Sequence, residues 1–336
     1  MFLSLSAVLL WVSLQLTSGS GNGCDSFLLH VDEDIFSVLQ LGNDAGISRV
    51  KQNNARNTEL LYREASRARM AACHAQAPQF NHLDQKPEVG RVLYVIKTYS
   101  GAYENRLRAV METWAARVPR SSLLIVGDKE HAEFPIHVAH ECSSDAMLGL
   151  ACRVAHGVEL AANTPGNWSW VFIVDDDHYV KTDNLEQFLA TLNPSIATGV
   201  GCYGCGSGKP FNYCRGNGGF CGGCGYGFSR AAIMRAIRGH EVDFRAQHLS
   251  VAESKTLSDT REDMAMTCTM MDRMPDMKVE ALLGSGLNGD TPEELFEILS
   301  SEGCNTQQSI WHWMKPEMMH KVHKLVTTDG PGCLGA

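Results

Sequence analysis

The sequence lacks the basic stripe or arm that a nucleic-acid partner requires. Its 29 lysines and arginines are outnumbered by 38 aspartates and glutamates, giving a formal net charge of −9, so nucleic acid is set aside as a partner class. With this balance, phosphate binding is expected to go through a bridging metal ion. Long apolar runs are lacking as well. The N-terminal run, Met1 to Leu16, is broken by serines and falls short of the roughly 20 residues a spanning helix needs. No other stretch could cross a bilayer. The run ends in Thr17-Ser18-Gly19-Ser20-Gly21 and has the form of a secretory signal peptide, although no lysine or arginine precedes it. A weak signal anchor is the alternative, and membrane attachment is expected only through this segment. There is no internal repeat.

What is present is enough for a substantial core. A chain of 336 residues with 44% hydrophobic content suits one large α/β domain with a small appendage. Twelve cysteines behind a signal-like segment fit an oxidising compartment. Asn167-Trp168-Ser169 has the form of a glycan acceptor. Both features predict the secretory pathway: the ER or Golgi lumen, or secretion. Residues 1–20 read as the signal and 21–90 as a stem or accessory region. That region is polar, with a helical-looking stretch from Thr58 to Cys73, and is closed by Pro87 and Gly90. Residues 91–325 read as the main domain.

Regular patterning begins at Arg91. Val92-Leu93-Tyr94-Val95-Ile96 is a continuous apolar run, as expected of a buried parallel strand. Glu104 to Ala116 predicts a helix, with Leu107, Val110, Met111 and Trp114 on one face. Leu123-Leu124-Ile125-Val126 predicts a second strand, completing a βαβ unit of a doubly wound sheet. Cys152 to Ala162 is the next helix and Trp168 to Val174 the next strand. A Gly/Cys-rich segment follows from Gly199 to Gly227, then helices from about Ser229 and Asp263. Thr291-Pro292-Glu293-Glu294 has the form of a capping box opening a short helix to Leu299.

The strand at Trp168–Val174 runs directly into Asp175-Asp176-Asp177. Three carboxylates at the C-terminal end of a strand lie where open α/β sheets bind ligands. Their mutual repulsion asks for a counter-charge, and oxygen ligands suit Mn²⁺ or Mg²⁺. Such an ion could stabilise a diphosphate leaving group. The alternative for the triplet is a solvated acidic turn, which the step from a seven-residue apolar strand into three aspartates and the order resumed at His178-Tyr179-Val180 disfavour.

Val174-Asp175-Asp176-Asp177-His178-Tyr179-Val180 resembles the acidic motif of the Fringe-like β-1,3-glycosyltransferases, a group that includes the core-1 O-glycan galactosyltransferases. Six further elements follow the family's order. Arg106 with Glu112-Thr113-Trp114 resembles its first-helix residues, and Gly127-Asp128 its donor-contacting turn. Cys142 and Cys152 flank a loop as a Fringe disulfide does, within Ala151-Cys152-Arg153-Val154. Gly222-Gly223-Cys224-Gly225-Tyr226-Gly227-Phe228-Ser229-Arg230 resembles its glycine loop, and Glu262-Asp263-Met264 the acidic pair that carries the base. Ser309 to Met318 resembles its C-terminal histidine strand.

The resemblance implies a GT-A-type (Rossmann-like) fold: a mixed, mostly parallel sheet with flanking helices, stabilised by disulfides. It implies an inverting, metal-dependent hexosyltransferase that takes GlcNAc or galactose from a UDP-sugar to a glycan or glycoprotein acceptor. Asp177 would hold Mn²⁺ (or Mg²⁺) with His312, while Asp175 and Asp176 would contact the ribose or orient the ion. Asp263 would be the general base, with Glu262 as the fallback. Arg106 and Asp128 would bind the UDP part, and Gly222, Gly223 and Gly225 would let the backbone approach a sugar. From the residues alone, His312 lies opposite Trp311 and Trp313 on a short strand and reads first as a hydrogen-bonded structural histidine. His320 and His323 read as exposed residues sharing a helix face. Cys202-Tyr203-Gly204-Cys205 and Cys221-Gly222-Gly223-Cys224 have zinc-ribbon-like spacing, although an oxidising lumen favours disulfides. Pairing of Cys221 or Cys224 with Cys268 would echo a Fringe disulfide. Two alternatives stay open: an inactive secreted sugar-binding module of the same fold, and a metal-dependent phosphodiester hydrolase.

Overall fold

The apolar run after Arg91 forms β1 (Arg91–Lys97), buried from Val92 to Lys97. The computed structural model describes residues 91–142, 147–282, 306 and 308–327, all within the unit His82–Ala336. The signal segment, the stem with its Thr58–Cys73 helix, and the capping box at Thr291–Glu294 lie outside the described residues.

The expected helix after β1 is broken into pieces. A π-helical turn at Tyr103–Leu107 runs into α1 (Arg108–Glu112), and a 3₁₀ turn follows at Trp114–Arg117. Leu107, Val110 and Trp114 are buried as the periodicity predicts. The break falls at Thr113, whose hydroxyl donates back to the Ala109 carbonyl at 2.6 Å, a local bond that competes with helix continuation. Trp114 then donates its indole N–H to the His178 carbonyl at 2.9 Å, which ties this segment to the acidic turn.

The chain continues through β2 (Leu123–Gly127), β3 (Ile136–Val138), α2 (Leu148–Asn163), β4 (Trp168–Asp175), β5 (Tyr179–Val180) and α3 (Thr182–Ala190). Next come β6 (Thr198–Gly201), β7 (Tyr203–Cys205), β8 (Gly219–Phe220) and β9 (Tyr226–Ser229). They are followed by α4 (Arg230–Ile237), α5 (Phe244–Glu253), α6 (Glu262–Arg273), β10 (Lys278–Ala281), β11 (Ile310–Trp311) and α7 (Pro316–Thr327). Seven strands form one sheet in the order β10-β6-β9-β4-β1-β2-β3. All run parallel except β9, which is antiparallel to both β4 and β6. This is the mixed, mostly parallel sheet expected.

Both faces of the sheet are covered, which explains the unbroken apolar strands. Val92, Tyr94 and Ile96 pack with Trp114, Phe172, Leu185 and Val322 on one side. Leu93 and Val95 pack with Val154, Val158, Ile233 and Met270 on the other.

All eight described cysteines are in disulfides: Cys142–Cys152, Cys202–Cys224, Cys205–Cys221 and Cys214–Cys268. The two C-x-x-C pairs are therefore bonded to each other and leave no thiolates for zinc. Cys268 pairs with Cys214, not with Cys221 or Cys224. The reason is that the β7–β8 hairpin already joins the two C-x-x-C pairs face to face.

Candidate active site

Four chain segments converge at the C-terminal edge of β1 and β4. The central strand β4 delivers the acidic triplet at its end. Because β9 runs antiparallel beside it, with Ile173 opposite Tyr226, the loop before β9 is brought next to Asp175–Asp177. The N-terminus of α6 contributes Glu262 and Asp263. The short strand β11 pairs with β5, and the Met314 amide donates to the Asp177 carbonyl at 2.9 Å, so His312 faces the triplet.

Ligand atoms of Asp175, Asp177, His178 and His312 all lie within 4.8 Å of one another. Asp177 Oδ1 is buried with no hydrogen-bond partner; His178 Nδ1 and His312 Nε2 each stand 3.4 Å away. His178 has its nitrogens engaged otherwise. Its Nδ1 accepts from the Asp175 amide at 3.1 Å, and its Nε2 faces the Gly222 carbonyl at 3.2 Å. The groups that could hold a cation are therefore Asp175, Asp177 and His312, with His178 as the brace behind them.

The other acidic residues divide by environment. Asp176 is almost fully buried. It accepts from the Thr98 hydroxyl at 2.7 Å and pairs with Arg106 Nε at 3.0 Å, which turns it inward instead of toward a ribose. Burial pushes its pKa up to about 7 against the opposing pull of Arg106 and Thr98. Glu262 is buried as well, paired with the Lys97 ammonium and accepting from the Tyr226 hydroxyl at 2.7 Å. Both its oxygens are engaged inside the protein, so the fallback base is a structural anchor. Burial raises its pKa, with Lys97 opposing.

Asp263 is different: partly exposed, with one oxygen accepting from the Gly222 amide at 2.7 Å and the other from the Met264 amide at 2.8 Å. Burial raises its pKa, and those two amides oppose the rise. Gly222 therefore donates to Asp263 and faces His178 with its carbonyl, linking the two halves of the site. Gly223 sits partly exposed in the same turn. Gly225 has φ +58, and a Cβ there would stand 2.7 Å from Phe172 Cε1. The packing of the loop onto β4 therefore requires glycine here.

Arg106 also reaches Asp177 at 3.6 Å and lies over the Tyr99 ring. Asp128 is held by the Ser100 amide and hydroxyl at 2.6 and 3.0 Å, fixing the turn that follows β1. Sequence reasoning missed Lys97, which is 2% exposed and lies 3.2 Å from Asp175. Burial alone would lower its pKa, but Asp175 and Glu262 outweigh it and raise it. A lysine closing an apolar strand one position before Thr98 was the available signal. The expectation for Trp313 also changes. β11 ends at Trp311, and Trp313 adopts φ +56 and is 69% exposed while Trp311 is buried, so the two do not share a face. His323 is half-buried, with Nδ1 2.8 Å from the Tyr179 hydroxyl, because α7 packs that face onto β5.

Five carboxylates (Asp175, Asp176, Asp177, Glu262, Asp263) thus meet two cations (Lys97, Arg106) around one buried orphan oxygen. The family model described as Fringe-like matches residues 88–287, more than half of the chain. The chain belongs to the Fringe-like family. This Fringe-like protein is a glycosyltransferase. The matched range includes β1 to β10 and ends before β11, so the position of His312 rests on the β11–β5 pairing.

No curated protein matches the sequence. Among solved structures, the Fringe-like chain is similar to a glycosyltransferase involved in the glycosylation of the major capsid of PBCV-1. The identity is 13% over 68% of this chain and 98% of that one, with a TM-score of 0.38. It is also similar to a mannosyltransferase from Pyrobaculum calidifontis in complex with GDP-Man and Mn2+, at 15% identity over 75% of this chain and 71% of that one, with a TM-score of 0.31. These scores are low, and the fold assignment stands on the strand order itself.

Proposed function

We propose that this Fringe-like glycosyltransferase is a Mn²⁺- or Mg²⁺-dependent, inverting enzyme. It moves a hexose, GlcNAc or galactose, from a UDP-sugar to a hydroxyl of an acceptor sugar or glycoprotein, forming a β-1,3 linkage. One observation carries the reading: the buried, unpartnered Asp177 Oδ1 among Asp175, His178 and His312, within an excess of carboxylates. Packing these charges together is costly unless an external cation joins them. Asp175, Asp177 and His312 would hold it, and when bound it supplies positive charge for a diphosphate leaving group.

Asp263 is the base. It takes the acceptor's hydroxyl proton as that oxygen attacks the anomeric carbon, while the bond to the diphosphate breaks on the opposite face. Its raised pKa moves it toward the range that suits a base at neutral pH. The Gly222 and Met264 amides hold its orientation. Arg106, half-exposed beside Asp177, is suited to charge-assisted contact with phosphate. Four disulfides support residence in an oxidising lumen of the secretory pathway.

The test uses protein secreted from eukaryotic cells and follows UDP release from several UDP-sugars with Mn²⁺ or EDTA. Release from one donor, lost with EDTA and in Asp177→Ala, is expected. Asp263→Asn is expected to lower turnover by about 10²–10⁴-fold with UDP binding intact. If calorimetry finds no UDP binding with Mn²⁺ present, the nucleotide-sugar reading fails.

A further inference from the structure

Arg153 is a buried cation without a partner. It is 6% exposed, and its Nε is sealed from solvent with no hydrogen bond. Among the described residues no carboxylate oxygen lies within 4.0 Å of its guanidinium. A guanidinium cannot escape this by releasing a proton, so it remains charged in a site where burial disfavours charge. The other buried arginine among the described residues is provided for. Arg273, at 7% exposure, donates to the Ala236 and Val242 carbonyls and to Gln247.

The fold directs Arg153 at the acidic edge of the sheet. It sits on α2 one turn before Gly157, and residues four apart share a helix face. Gly157 lies so close to the sheet that a Cβ there would stand 2.4 Å from Val95 Cγ1, so this face is pressed onto β1. α2 follows β3 and leads into β4, which is parallel to β1 and β2, so as a crossover helix it runs against the strands. Its side chains lean toward the helix N-terminus, that is, toward the C-terminal ends of the strands. The charges Arg153 feels agree with this. Burial lowers its pKa, while Asp128 after β2, Tyr103 in the π-helical turn, and Asp175 and Asp176 at the end of β4 oppose that.

None of those groups is waiting for it. Asp128 is occupied by Ser100, Asp176 by Thr98 and Arg106, and Asp175 by Lys97. The anion that completes Arg153 therefore comes from outside the described chain. Resting on the donor reading above, we propose that Arg153 binds the diphosphate of the nucleotide-sugar donor, on the face of the sheet edge opposite Arg106. A planar fork of N–H donors matches phosphate oxygens, and an unpaired buried charge is an anion site prepared in advance of its ligand.

The test compares wild type with Arg153→Met, of similar length and uncharged, and with Arg153→Lys. The readouts are the melting temperature without ligand and calorimetric affinities for UDP, uridine and inorganic pyrophosphate, all with Mn²⁺ present. Arg153→Met is expected to melt at or above wild type, because an uncompensated charge is removed. Its UDP and pyrophosphate affinities are expected to fall about tenfold or more, with uridine unchanged and Arg153→Lys intermediate. A variant that melts well below wild type while binding UDP normally overturns the proposal and makes Arg153 a structural residue. Equal losses for UDP and uridine overturn it too. A wild type that binds neither UDP nor pyrophosphate instead brings down the donor reading, and this assignment with it.

Discussion

Lys97 and His248 are both buried ionisable residues, and they tolerate burial in opposite ways. Lys97 stays charged because Asp175 and Glu262 flank it. His248 stays neutral: fully buried on α5, with Nδ1 3.3 Å from the Thr269 hydroxyl, its pKa is pulled by burial from 6.5 to about 4. A pKa depressed in the folded state means that the unfolded chain takes up the proton first as pH falls. The stability contribution is complete above pH 6.5 and is lost as pH drops toward 4. The loss amounts to about 2 kcal/mol by pH 5. Urea unfolding at pH 7.5 and pH 5 should therefore show a smaller drop in His248→Gln than in wild type. At this scale the sequence was informative where charge was out of pattern. Asp175–Asp177 after an apolar strand and Asp263 at a helix start both stood out. Lys97 did not, because its partner Glu262 is 165 residues away and a terminal lysine resembles an ordinary exposed strand end.

Among the elements, the legible ones were those whose side chains carry a period. β1, β2, β4 and α2 are continuous apolar runs or amphipathic stretches, and they fold as such. β6 and β9 were not legible, because Thr198–Gly201 and Tyr226–Ser229 alternate glycine with larger residues inside a segment that reads as a loop. α5 escaped as well: its buried positions are Phe244, His248, Val251 and Ala252, a face carrying one imidazole and one methyl group. The glycines of β9's approach are steric requirements. Gly225 combines φ +58 with ψ 168, a region essentially restricted to glycine, where another residue costs about 1–3 kcal/mol. Gly225→Ala also places a methyl against Phe172. The variant should melt several degrees lower and lose turnover beyond what the melting shift explains, because the loop carrying Gly222 is displaced. Normal turnover in a Gly225→Ala protein would contradict the role given to this turn.

Across the whole molecule, disulfides do much of the work of joining distant parts. Six cysteines between Cys202 and Cys268 allow 15 pairings, so connectivity was not readable; it follows from the β7–β8 hairpin meeting the face of α6. Cys214–Cys268 closes a sequence separation of 54 residues, for which chain entropy predicts about 4 kcal/mol. The double variant Cys214→Ala/Cys268→Ala should show a correspondingly lower urea midpoint, with the other three described bridges intact by mass.

The turn at Cys221–Cys224 has a further consequence. Its two ends are covalently fixed, Cys221 to Cys205 and Cys224 to Cys202, and between them Gly222 touches Asp263 with its amide and the acidic turn's His178 with its carbonyl. Oxidation therefore sets the spacing between Asp263 and the acidic turn. A newly made, still reduced polypeptide would hold every catalytic side chain and yet be silent, and turnover would begin only when the second of these bonds closes. On the proposed mechanism, maturation and activation would be one chemical event.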